Sequence, residues 1–166
     1  MKAASKIRSL EEAEALCREL RQRGRCIVFT NGCFDLLHVG HLRYLEAARD
    51  LGDFLVVGVN SDRSVRTIKG PKRPILPESA RSELVAGLHC VDCVVVFDTP
   101  DPLPVIQRLT PHVLVKGADW PEDKIVGAHW VRSHGGRVER IAVVEGYSTT
   151  SIIERIEKGY GIRDKG

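Results

Sequence analysis

Five short apolar runs, separated by stretches of helical periodicity, constrain this chain more than any other feature. They fall at 26–30, 54–59, 93–97, 112–116 and 138–144. The run from Phe54 to Val59 is apolar almost throughout rather than alternating, as expected of a strand covered on both faces. Ahead of the first run, Leu10, Ala13, Leu16, Cys17 and Leu20 share one helical face, and Gly24 ends that helix. After it, Leu42, Leu45, Ala48 and Leu51 do the same before Gly52. Asn60-Ser61-Asp62 is a cap signal for a short helix, and the prolines and Gly70 of 69–77 make that segment a loop. Further helices are expected at 78–88, 102–109, 127–134 and 148–157. Such alternation predicts an α/β fold: a single domain with a five-stranded parallel sheet in Rossmann-like order, flanked by helices. Residues 1–24 read as an N-terminal helical extension and 25–166 as the domain proper.

The 166 residues suffice for one hydrophobic core. No apolar run approaches the roughly 20 residues of a membrane span. The basic N-terminus is followed by Glu11, Glu12 and Glu14 rather than an apolar stretch, so no export signal is read there. Five cysteines without export signals fit a reduced, cytoplasmic protein. Cys90 and Cys93 form one C-x-x-C, but no further ligands at zinc spacing accompany it, and it precedes a strand instead of opening a helix. Buried thiols are the expectation there. The histidines at 89, 112, 129 and 134 lack ligand spacing, so no protein-built metal site is expected. The net charge of +3 suits small anionic substrates and is too weak to argue for nucleic acid.

The chemistry-bearing segment follows the first strand: Thr30-Asn31-Gly32-Cys33-Phe34-Asp35-Leu36-Leu37-His38-Val39-Gly40-His41. Neither G-x-G-x-x-G nor G-x-x-x-x-G-K-[ST] occurs, which removes support for hydride transfer and P-loop chemistry. Gly32 permits a sharp turn and close approach to a ligand, and Gly40 keeps the next helix start free of bulk. His38 and His41, three apart, face one side, where their rings and the helix's free N–H groups can meet one anion. That suits charge developing on a phosphoryl group. Two ordinary capping histidines are the bland alternative, disfavoured by the flanking glycines. Three other groups have bland readings of comparable weight. Lys69 and Lys72 could be a solvated basic loop. Lys116-Gly117 and Asp119 could be a strand-end turn, although Gly117 permits close approach and Asp119 can accept from a sugar or ribose hydroxyl. Ser148-Thr149-Thr150 could be a plain helix cap, or could hold a phosphate at the helix start. Asp35 anchors either its loop or substrate hydroxyls. Trp120 and Trp130 read as core or interface aromatics.

Residues Asn31 to His41 resemble the His-x-Gly-His signature of the cytidylyltransferase-like nucleotidyltransferases, and the likeness runs from about Arg25 to Ile156. Within that superfamily, Thr30 to Asp35, Lys69-Gly70, Arg73-Pro74 and Lys116 to Trp120 most resemble the heptose 1-phosphate adenylyltransferases, the ADP-heptose synthase domains. Ala118 departs from the glycine expected in many of them. The resemblance implies a nucleotidyltransferase fold and transfer of AMP from ATP to a heptose 1-phosphate, giving ADP-heptose and pyrophosphate for lipopolysaccharide precursors. It implies catalytic roles for His38, His41 and Lys69. It assigns Asn31, Gly32, Cys33, Phe34, Gly40, Lys116, Gly117, Asp119, Ser148, Thr149 and Thr150 to the nucleotide, and Asp35, Lys72 and Arg81 to the sugar phosphate. Mg2+ would be bound through the triphosphate. A homodimer is implied by analogy, with a separate sugar kinase upstream and no nucleic acid or membrane partner. Glycerol-3-phosphate cytidylyltransferases using CTP share the histidines and the Ser-Thr-Thr, and remain an alternative beside a non-catalytic nucleotide-binding module.

Overall fold

The computed structural model describes residues 2–159; Met1 and the last residues of the expected domain, 160–166, lie outside it. The strands are β1 (Ile27–Gly32), β2 (Phe54–Asn60), β3 (Cys93–Phe97), β4 (Val113–Gly117) and β5 (Arg137–Ile141). All pair in parallel, in the order β3-β2-β1-β4-β5. The helices are α1 (Leu10–Gln22), α2 (Val39–Arg49), α3 (Asp62–Lys69), α4 (Glu78–Gly87), α5 (Leu103–Leu109), α6 (Ala128–Ser133) and α7 (Thr149–Glu157). Short 3-10 turns occupy Ala3–Lys6 and Glu122–Lys124.

The apolar strands alternate sides even where the sequence is continuously hydrophobic. Ile27 and Phe29 of β1 pack with Ala13 and Cys17 of α1, Ile106 and Leu109 of α5 and Val131 of α6. Val28 packs with Leu45 and Ala48 of α2 and Val85 and Ala86 of α4 on the other face. Leu55, Val56, Val57 and Val59 of β2 are all fully buried, which is why that run shows no polar alternation. Helix α1 starts in a reciprocal cap: Glu12 N–H donates to Ser9 Oγ (3.2 Å) and Ser9 N–H to Glu12 Oε2 (2.8 Å). Ahead of it, Ile7 bridges Val94 in parallel and Arg8 N–H donates to the Val94 carbonyl (2.9 Å), covering the free edge of β3.

One expectation changes. The fifth strand ends at Ile141, level with the end of its partner Gly117, and Ala142 to Val144 leave the sheet. Ile156 is 66% exposed, and no residue of α7 is fully buried. Cys90 and Cys93 are buried and free, and burial raises both thiols, Cys93 to about 12.

Candidate active site

From β1 the chain runs to β2 on one side and reaches β4 on the other, so a crevice opens at the carboxyl ends of the strands between them. The cavity there has a volume of about 540 Å³.

Its floor is the turn after β1. Phe34 takes a left-handed backbone (φ 47°), a rare state for a bulky residue, and its ring is buried in the core beneath α2. A Cβ on Gly32 would stand 3.1 Å from that ring, closer than an ordinary carbon contact, so a side chain there would push the ring aside. Asp35 follows, its side chain fully buried. Arg73 Nε donates to it (2.6 Å), as do the backbone N–H groups of Ile75 and Leu76 (2.9 Å each). Burial raises this carboxyl, but those backbone donors and Arg73 outweigh it and leave the pKa below the usual carboxylate value. These bonds tie Asp35 to its loop, and it also lines the cavity.

His38 precedes α2 and His41 lies in its first turn. Their rings stack with centroids 3.8 Å apart. His41 Nδ1 accepts from the His38 N–H (3.4 Å), which leaves the proton of a neutral His41 on Nε2. Burial, with His38 beside it, holds the His41 pKa down to about 4, and burial lowers His38 too. Both imidazoles are therefore uncharged donors near neutral pH. Among the described residues, His38 Nδ1 is the one buried side-chain nitrogen or oxygen without a hydrogen-bond partner. A Cβ on Gly40 would come within 2.9 Å of that same atom.

On the β4–β5 side, Lys116 Nζ donates to Asn31 Oδ1 (2.7 Å) and lies 5.8 Å from the Trp120 ring centre. Burial pushes its ammonium down to about 8. Gly117 and Asp119 sit beside it, with the Asp119 carboxylate over the Gly117 Cα, where a Cβ would collide. Helix α7 enters from above: Ser151 N–H donates to Ser148 Oγ (3.0 Å), and Thr149 Oγ1 donates to the Leu36 carbonyl (3.4 Å), tying the helix start to the histidine loop. On the β2–β3 side stand Asn60, Lys69 at the end of α3, Arg73 and Asp101.

The cavity wall thus gathers Asn31, Gly32, Cys33, Phe34, Asp35, His38, Gly40, His41, Lys69, Lys116, Gly117, Asp119, Ser148, Thr149 and Thr150. Lys72 and Arg81 are not in it. Lys72 points to solvent, and Arg81 is fully buried behind the wall. Sequence reasoning missed several wall residues. Tyr44 lies three residues after His41, the same spacing that pairs the histidines, and its hydroxyl meets Thr30 Oγ1 (2.8 Å). Arg73 was visible as a third cation in the basic loop. Trp120, read as a core or interface aromatic, is 50% exposed at the mouth, and Tyr147 and Val143 share that rim.

Among the described residues no three His, Cys, Asp or Glu side chains cluster to hold a metal, and no helix is long and apolar enough to cross a membrane.

The profile of the cytidylyltransferase-like family matches residues 29–155. A protein named Bifunctional protein HldE from Geotalea uraniireducens is 52% identical over 155 residues, 93% of this chain. The protein of the same name from Syntrophotalea carbinolica is 54% identical over 156 residues, 94% of this chain. This chain spans 32% of the length of each. Among solved structures, a lipopolysaccharide core biosynthesis protein from Thermoplasma volcanium GSS1 superposes with a TM-score of 0.62 at 30% identity, covering 75% of this chain and all of that one.

Proposed function

The chain belongs to the cytidylyltransferase-like family of nucleotidyltransferases, and from that premise we propose that it transfers AMP from ATP to a heptose 1-phosphate, releasing pyrophosphate and ADP-heptose. One observation carries the reading. Two stacked neutral histidines at the start of α2 share one cavity with Lys69, Lys116 and the capped start of α7. The relatives named for HldE and for lipopolysaccharide core biosynthesis support a heptose acceptor.

A phosphate oxygen of the sugar attacks the α-phosphorus in line and pyrophosphate leaves. The protein supplies positions and fixed donors rather than a covalent intermediate. His41 Nε2–H and His38 donate to phosphate oxygens as charge builds on them. His38 Nδ1, buried without a partner, is free to take up a hydrogen bond when the triphosphate arrives. Lys69 and Arg73 face the incoming sugar phosphate from the β2–β3 side. Ser148, Thr149, Thr150 and the N–H groups of the first turn of α7 hold the leaving pyrophosphate. Lys116, Gly117 and Asp119 take the nucleoside, with Asp119 accepting from ribose hydroxyls. The wall offers scattered carboxylates and no cage. This donor set fits a magnesium ion held by phosphate oxygens and water, with Asp119 within the same cavity. Bound there, Mg2+ would neutralise charge on the triphosphate.

The sugar 1-phosphate comes from a sugar kinase, and the enzyme works as a homodimer. Five free cysteines suit a cytoplasmic setting.

Pyrophosphate release with a heptose 1-phosphate, comparing ATP with CTP, tests the reading. ATP is expected to support turnover. Turnover with CTP and glycerol 3-phosphate but not with ATP and the heptose would sink it.

A further inference from the structure

Among the described residues Arg81 is the largest fully buried side chain, and its guanidinium holds three segments at once. Nη1 donates to the Cys33 carbonyl (2.6 Å), in the turn that leads to the histidines. Nε donates to the Leu76 carbonyl (2.9 Å), in the loop that carries Arg73. Nη2 pairs with Asp62 Oδ1 (2.8 Å), in the first turn of α3, whose last residue is Lys69. The first two acceptors stand 48 and 5 residues away in sequence, and the third 19. Asp35 ties the same loop to the same turn through Arg73 and the N–H groups of Ile75 and Leu76.

We infer that Arg81 is a positioning residue which sets the acceptor-phosphate cations, Lys69 and Arg73, against the histidine turn without itself touching substrate. Nothing of its side chain reaches the cavity surface, so contact with a substrate phosphate would require breaking one of three internal bonds. Only a planar fork of donors serves three diverging acceptors. A lysine keeps the charge but cannot span them. The inference rests on the acceptor lying on the β2–β3 side, and its test separates the two.

The probe is inorganic phosphate, titrated into the full chain while two backbone amides are followed by 1H–15N NMR. Gly70, next to Lys69, reports the acceptor side, and Thr149, at the start of α7, reports the nucleotide side. In wild type both respond. In Arg81→Lys the apparent affinity at Gly70 falls about tenfold, the worth of one charge-assisted bond lost. At Thr149 it stays within about twofold. A general loosening of the fold would weaken both alike. Equal losses at the two amides, or none at Gly70, overturn the inference. Where Arg81→Lys does not fold, Asp62→Ala decides by the same pair of amides, because it removes only the α3 link. Absence of a wild-type response at Gly70 overturns the acceptor-side reading itself.

Discussion

Gly40→Ala separates the histidine geometry from the stability of the fold. Gly40 is the second residue of α2, with helical backbone that alanine adopts freely. Intrinsic propensity alone favours alanine over glycine in a helix by about 1 kcal/mol. The added Cβ, however, would stand 2.9 Å from both Cε1 and Nδ1 of His38, against an ordinary carbon contact of about 3.5–4.0 Å. The imidazole must retreat by roughly 0.6–1 Å. It has little freedom to do so, because its other face is stacked on His41. A displacement of about 1 Å in a positioned group costs on the order of 10²-fold in rate, equivalent to about 2.7 kcal/mol of barrier. The expected variant therefore melts within about 4 °C of wild type while kcat/KM for pyrophosphate release falls about 100-fold. A crystal structure should show the His38 ring moved and the rest of the turn in place. Turnover within about threefold of wild type, with the protein folded, refutes the reasoning, since the 100-fold scale follows directly from the forced displacement. A melting temperature lower by more than about 10 °C would instead make Gly40 a folding residue.

Three further outcomes follow. His41 holds its pKa down to about 4 against an ordinary value of 6.5, so the unfolded chain binds a proton that the folded one refuses between those values. Its share of stability is complete above pH 6.5 and is lost as the pH falls towards 4; in His41→Gln the urea midpoint should lose part of its pH dependence in that window, and an unchanged profile would contradict the assignment. Asp35→Ala leaves a nearly buried Arg73 guanidinium and two backbone N–H groups without an acceptor. Urea denaturation should show a loss of about 3–5 kcal/mol, and a loss under about 1 kcal/mol would show that the loop finds other partners. Ser148→Ala removes a helix cap worth about 1 kcal/mol from a helix that fully buries nothing. Global melting should hardly move, yet KM for ATP should rise; an unchanged KM would remove the α7 start from the nucleotide site.

Local pattern was enough for much of this molecule. The five runs became five parallel strands because each is apolar on both faces or paired at the sheet edge, and the histidine turn was legible because glycine, spacing and position after a strand coincide. What stayed hidden depends on distance in sequence. Nothing near Arg81 reveals that its partners include a carbonyl 48 residues away, and its place with the sugar phosphate came from the family resemblance alone. Asp35 likewise binds residues 38 to 41 positions on. The end of β5 was misjudged because Ala142-Val143-Val144 continues the apolar run. The sheet partner stops at Gly117, and Val143 goes to the cavity rim instead. Trp120 reads from the sequence as a core or interface aromatic, as large aromatics usually are. It is held at the mouth near the Lys116 ammonium, a pairing no spacing rule announces.

The strand order has a consequence for how such an enzyme can change its substrate. Because β2 and β3 lie on one side of β1, and β4 and β5 on the other, the wall proposed for the acceptor is drawn from one contiguous stretch, 60–102, and most of the wall proposed for the nucleotide from another, 116–150. The histidine turn alone belongs to both. A single crossover within α5, between two chains of this fold, would exchange one wall for another while every strand kept its neighbours. On the proposed assignment of the two walls, specificity for the acceptor and for the nucleotide can be inherited, or engineered, as separate modules.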